Sequence, residues 1–245
     1  MAAVDTLPPA LQKAVELFAE PPENPDVSKG YLDLLAHSAE PVPTNTGAVQ
    51  KMWASSLGSL FYDNAQAFAR RVSSAWRAPL EWLSIPGGGV VLDVGCGPGS
   101  ITSALARAVG PDGLALGVDV SEPMLARAVR AHSQSQVAFL RADAQQLPLR
   151  DDTVDAVVSV AALQLVPNPV AAIAEMARVL RAGGRLALMV PTVGNPGPVF
   201  RLIPDPGAYF FGDDELGDIL EDNGFTSVRT DKKSGGIQWV RGIRE

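Results

Sequence analysis

Soft metal ligands are scarce in this 245-residue chain, which has one cysteine, Cys96, and two histidines, His37 and His132. A single thiol excludes an intramolecular disulfide and leaves no thiolate cluster for zinc, so no metal site is expected. Long apolar runs are missing too: none approaches the ~18 residues that a bilayer-spanning helix needs. Positive charge is in the minority, with 20 Lys and Arg against 27 Asp and Glu and a formal net charge of −7. The longest basic clusters are the pairs Arg70-Arg71 and Lys232-Lys233. Neither is the polybasic stripe that draws a phosphate backbone or an anionic membrane, so nucleic acid and integral membrane association are not expected. The opening residues, Met-Ala-Ala-Val-Asp-Thr-Leu-Pro-Pro, show no basic flank leading into an apolar stretch. A soluble cytoplasmic protein is the expectation.

What is present divides at Gly87-Gly88-Gly89. Before it, apolar residues recur at helical spacing: Leu11, Val15 and Phe18, then Val49, Trp53, Leu57 and Leu60, then Phe61, Ala65, Phe68, Val72 and Trp76. Proline clusters at Pro21-Pro22, Pro25, Pro41 and Pro43 separate these amphipathic helices. After it, short apolar runs alternate with helical stretches, the mark of repeated βα units and a mostly parallel sheet. The pattern predicts strands at 90–94, 114–118, 137–141, 154–160 and 185–190, and helices near 100–109, 122–132, 169–181 and 214–223. A final antiparallel hairpin is expected at 226–231 and 236–243.

The first of these strands ends in Leu92-Asp93-Val94-Gly95-Cys96-Gly97-Pro98-Gly99. Glycines at such a strand-to-helix turn permit positive φ and close approach of a ligand. A dinucleotide would set its pyrophosphate against this turn, where Asp93 repels it, whereas a ligand bearing an ammonium and a sulfonium is favoured. Asp93 therefore points to S-adenosylmethionine (SAM). Asp119 closes the next strand, where an acid in a doubly wound fold hydrogen-bonds ribose hydroxyls, although it and Ser121 could also cap the following helix. Val120 and Met124 could flank an adenine, with core packing the alternative for Met124. After the third strand, Asp143 and the Ala144 amide offer the acceptor and donor that an adenine edge requires; the alternative is that Asp143 only opens a loop. Three carboxylates after three successive strands all fall on the carboxyl edge of the sheet, where open α/β sheets bind ligands.

Together these stretches resemble class I SAM-dependent methyltransferases, especially the small-molecule branch related to ubiquinone and menaquinone biosynthesis enzymes. Gly117-Val118-Asp119-Val120-Ser121-Glu122-Pro123-Met124-Leu125 is similar to the family's second motif, and Asp143-Ala144-Gln145-Gln146-Leu147-Pro148-Leu149 to its adenine-side motif. Asp155-Ala156-Val157-Val158-Ser159 resembles the fourth-strand motif, and Arg178 to Leu186 the turn into the fifth strand. The resemblance implies a Rossmann-like, doubly wound, seven-stranded and mostly parallel sheet with an antiparallel last strand, plus an N-terminal helical lid. On that reading, residues 1–86 form the lid and 87–245 the SAM-binding domain, including an insertion at 191–212. It implies that Asp93, Gly95, Cys96, Gly97 and Gly99 hold the methionine end of SAM, Asp119 with Val120 and Met124 the ribose and adenine side, and Asp143 with Ala144 the adenine. Ser159 to Gln164 would line the methyl end. Asp155, at the start of its strand, reads as structural, Cys96 as a small filler, and His132 as a helix-end residue facing terminal carbonyls or solvent.

No base stands out. Related enzymes often have histidine where this chain has Gln164, which is not a base at neutral pH. Tyr62 and His37, in the lid that the resemblance implies, and Gln164 are the catalytic candidates. The expected reaction is in-line methyl transfer from SAM, leaving S-adenosylhomocysteine (SAH), to a small apolar or aromatic acceptor, with proximity doing most of the catalysis. A homodimer is the expected assembly. A SAM-binding protein without turnover and a nicotinamide-dependent oxidoreductase are the rival readings, the latter disfavoured by Asp93.

Overall fold

The computed structural model describes residues 7–36, 81–191, 209–233 and 237–245. The expected helices at 44–80, His37, Tyr62 and most of the 191–212 insertion lie outside the described residues. In chain order the elements are α1 (Pro9–Val15), β1 (Leu32–Asp33), β2 (Val90–Val94), α2 (Ser100–Val109), β3 (Leu114–Asp119), α3 (Glu122–His132), β4 (Val137–Arg141) and β5 (Val154–Val160). A 3₁₀ turn (Leu163–Leu165), α4 (Pro169–Val179), β6 (Leu180–Pro191), α5 (Glu215–Asp222), β7 (Phe225–Lys233) and β8 (Ile237–Arg244) complete them.

Apolar runs with two-residue alternation make the strands. Along β2, Val91 packs on one face of the sheet and Leu92 on the other. One face gathers Leu92, Leu116, Leu140 and Leu188 under α1, α4 and α5, with Phe18, Ile173, Met176 and Leu220 among the helix-side contributions. The opposite face gathers Val91, Ala115, Phe139 and Met189 beneath Leu105 of α2 and Leu125 and Ala128 of α3. Each fully buried Leu or Phe contributes about 1.5–3 kcal/mol of transfer free energy. Local signals agree with the packing: Asn168 caps α4 by accepting from the Ala171 amide (3.1 Å), and Pro169 occupies the first turn, where no amide partner is needed.

The strand order is β1-β4-β3-β2-β5-β6-β8-β7, with β8 antiparallel to both of its neighbours and the other pairs parallel. The chain moves outward from β2 through β3 to β4, then crosses to β5 on the other side. This reversal sits between β2 and β5 and opens a crevice at their carboxyl ends.

Three expectations are corrected here. Eight strands, not seven, are present among the described residues, because Leu32 and Asp33 pair in parallel with Leu140 and Arg141. Two residues carry no readable periodicity; the pairing comes from the tertiary contact. The 169–181 helix stops at Val179, and β6 begins at Leu180 instead of 185, with its register shifted around residues 181–184, where Gly183 has φ +76°. Residues 7–36, placed by the sequence in a separate lid, join the sheet and the main apolar cluster: Leu11, Ala14, Val15 and Phe18 pack there, and Phe18 bridges to Leu149.

Candidate active site

The turn after β2 is built on two glycines with different constraints. Gly95 has φ +74°, and a Cβ there would lie 2.1 Å from the Ala162 Cβ, so the turn presses directly against the segment following β5. Gly97 has φ +51°, yet a Cβ there would meet no atom within 4 Å. Its face opens onto space that a ligand can occupy. Gly99 is a packing contact, since a Cβ would collide with Phe139 and Ala128.

Two carboxylates hold this turn from within. Asp119 Oδ2 accepts from the Gly97 amide and Oδ1 from the Ser121 amide, both at 2.8 Å. Desolvation raises its pKa above the usual carboxylate range, and the two amides partly oppose that rise. Ser121 makes no side-chain cap; its carbonyl accepts from Met124 and Leu125. Asp93 is completely buried, with Oδ2 accepting from the Thr102 hydroxyl at 2.6 Å and Oδ1 without a hydrogen-bond partner. Burial pushes its pKa up to about 7; Thr102 holds it down and Asp119 adds to the rise. The carboxylate that the sequence sets at the glycine turn is thus a buried one. It lies beneath the turn, on the α2 side, with one orphaned oxygen.

Cys96 is buried against Gly117, and burial drives its thiol well above its ordinary pKa, so it fills space and is not a nucleophile. Asp119 stands beside Arg141 in register. Two residues further on, Asp143 accepts from the Gln145 amide (2.9 Å) and side chain (3.0 Å), so it does open a loop, while its carboxylate keeps acceptor capacity to spare. The Ala144 amide donates to nothing among the described residues. Val120 is partly exposed, and Met124 is buried but belongs to neither apolar cluster of the core. Asp155 is structural, accepting from the Val90 amide (2.7 Å) and pairing with Arg181. His132 has its pKa lowered by burial and by Arg107, the reverse of what a helix-end contact with carbonyls produces.

Beyond the reversal, Ser159 and Gln164 are buried. Gln164 Nε2 donates to the Ala161 carbonyl (2.7 Å), its Oε1 lacks a partner, and its own carbonyl accepts from the Tyr209 amide (2.7 Å). Sequence reasoning missed Thr102 and the ionic strap on the other flank. There Arg141 bridges Asp33 (3.2 Å) and Glu122 (3.1 Å), while Lys29 bonds Glu122 (2.6 Å). Thr102 could have been found as a hydroxyl in the first turn of α2, facing back toward Asp93.

The family described as "Methyltransferase domain" matches residues 92–188, the span from β2 to β6. Demethylmenaquinone methyltransferase of Staphylococcus aureus is 32% identical over 190 residues, covering 66% of this chain and 78% of that protein. The chain belongs to the class I SAM-dependent methyltransferases. An uncharacterized 37.1 kDa protein in transposon TN4556 of Streptomyces fradiae is 40% identical over 113 residues, which span 46% of this chain and only 33% of that protein. Among solved structures, a chain from the Haloferax volcanii complex of the Trm112 methyltransferase activator with a methyltransferase superposes with a TM-score of 0.66. It is 20% identical and covers 80% of this chain and 97% of that one. That likeness shows the shared fold.

The residues of this methyltransferase fit SAM on geometry of their own. The space over Gly97 is open, and Asp93 Oδ1 beneath the turn has no partner, as a cradle for the methionine end would need. Asp119 at the end of β3 and Asp143 with Ala144 after β4 lie along the same edge. The described residues bring together no group of three or more His, Cys, Asp or Glu that could hold a metal ion, and no described helix is long and apolar enough to cross a membrane.

Proposed function

We propose that this methyltransferase acts on a small, uncharged, ring-type acceptor whose reacting atom gives up its proton without a strong protein base. The carrying observation is the chemistry at the ends of β5 and β6. Residues 159–164 and 189–191 contain no carboxylate, imidazole or amine. Gln164 stands where a base would serve, with its amide nitrogen already donated to the Ala161 carbonyl. Bound SAM supplies an electrophilic methyl on a sulfonium leaving group. The chain's part is then to bind, orient and exclude water. Asp119 fixes the Gly97 amide, Gly95 seats the turn on Ala162, and Asp143 and Ala144 hold the far end. Orientation of this kind is worth up to about 7–11 kcal/mol of barrier.

The name of the Staphylococcus aureus relative specifies demethylmenaquinone, and a quinol or phenol ring is the acceptor class proposed for this chain. Such rings ionise readily, so proximity suffices. The part of the expected 1–86 lid that follows residue 36, with His37 and Tyr62, and the 191–212 insertion belong to the proposal as acceptor-covering segments. So does a cytoplasmic homodimer, whose mass light scattering reads directly.

Transfer of tritiated methyl from SAM to a panel of quinols, phenols, amines and carboxylic acids tests the reading. Labelled product is expected from the neutral rings. Tight SAM binding with no labelled ring product, in the panel or in a metabolite extract, would reject it. Gln164→Ala is expected to raise the acceptor KM and leave the pH profile of kcat/KM unchanged, since the acceptor's own ionisation sets that profile.

A further inference from the structure

Gln238 is fully buried at the start of β8, yet neither its amide nitrogen nor its amide oxygen has a hydrogen-bond partner. Unpaired donors and acceptors of this kind are rare inside proteins, because each forfeits its hydration. Its place in the sheet is specific. Gln238 pairs with Val190 near the carboxyl end of β6, and two residues back Leu188 pairs with Val240 on one side and Ser159 on the other. Gln238 and Ser159 therefore share one face of the sheet at the same edge.

Ser159 Oγ and Gln164 Oε1 are likewise buried without partners. The segment that carries Phe211 into the cluster with Leu188, Val190 and Val240 is tied to Gln164 through the Tyr209 amide. Three buried, unsatisfied and uncharged side chains thus lie on or next to β5 and β8, on the side of the carboxyl edge away from β3 and β4. The charged residue directly across from Gln238 is Lys232, and its ammonium is held by Asp213 at 2.9 Å. Arg241 lies on the opposite face, stacked over Trp82.

We infer that Gln238, Ser159 and Gln164 form the subsite that selects the methyl acceptor, receiving its neutral hydroxyl and carbonyl oxygens. This rests on the methyltransferase reading above and names the substrate feature it selects. Gln238 supplies a donor and an acceptor, Gln164 an acceptor that needs an O–H or N–H, and Ser159 either. Among the described residues no free cation faces them, so an acceptor bearing a carboxylate or phosphate is disfavoured.

The full chain, loaded with SAH, is titrated with 1,4-naphthohydroquinone and with its anionic analogue 1,4-dihydroxy-2-naphthoate under reducing conditions. The neutral probe is expected to bind at least about tenfold more tightly. Gln238→Met is expected to weaken it roughly tenfold, leave SAM affinity unchanged, and raise the melting temperature of the ligand-free protein by about 2–4 °C, because an unpaired buried amide is removed. A Gln238→Met protein that melts lower and binds the hydroquinone normally would show a structural amide and overturn the inference. Equal binding of the anionic probe, or no binding of the neutral probe while SAM binding is intact, would also overturn it. Loss of SAM binding by the unmodified protein would instead defeat the underlying reading.

Discussion

A carboxyl group removed from water, with a single hydroxyl as partner, holds its proton more tightly than a free one, and Asp93 is in that position. Free aspartate ionises near pH 4, whereas folding moves Asp93 to about 7. Between those values the folded chain binds a proton that the unfolded chain has released. This contribution is present at low pH, falls as pH rises through the folded pKa, and stays absent above it. At ~1.4 kcal/mol per unit it amounts to at most ~4 kcal/mol. The groups facing Asp93 are Thr102 of α2, Cys96 of the turn and Asp119 of β3, none of them cationic. Urea denaturation at pH 5 and pH 8 should therefore show a decline in stability that Asp93→Asn flattens; equal slopes in the two proteins would contradict this. The sequence made Asp93 conspicuous but not its orientation, because the alternation along β2 sends it under α2 and only the packed helix shows where its oxygens end.

At the level of elements, the turn after β2 and the strap across β1 make opposite demands on single substitutions. Gly97→Ala meets open space, so it should cost about 1–2 kcal/mol for the left-handed backbone and lose SAM binding. Gly95→Ala drives into Ala162 and should destabilise the fold itself. Thermal melts with and without SAM separate the two; identical behaviour would mean that the turn is not a ligand cradle. On the other flank, Asp33 also accepts from the Leu35 and Ala36 amides while paired with Arg141. Asp33→Ala should cost about 1–3 kcal/mol, the scale of lost charged hydrogen bonds, because Arg141 keeps Glu122 as a partner. The helices and strands from β2 to β5 were legible because apolar period and glycine or proline boundaries coincide there. β1 was not, since a two-residue strand exists only through its contact with β4. Gln238 carried a faint signal, one amide in the apolar run Ile-Gln-Trp-Val, but its burial depends on β6 and β7.

Across the whole molecule, one sheet with two covered faces explains why the amino-terminal segment cannot be a detachable lid throughout. Phe18 is buried with the core residues of β3, β4 and β6. Phe18→Ala should lower global stability by about 3–5 kcal/mol in a single urea transition. An unchanged main transition would mean that residues 7–36 fold apart from the sheet. The same architecture divides labour along the carboxyl edge: charged groups after β3 and β4, neutral ones after β5 and at the start of β8. The central claim is that the first half is a SAM cradle, and calorimetric titration of SAM into the intact protein and into Asp119→Ala tests it most directly. The account predicts one SAM per chain, no binding of NAD, and affinity weakened by about 1–3 kcal/mol in Asp119→Ala, the scale of lost charged hydrogen bonds. Binding of NAD in place of SAM, or the same SAM affinity in both proteins, would contradict it.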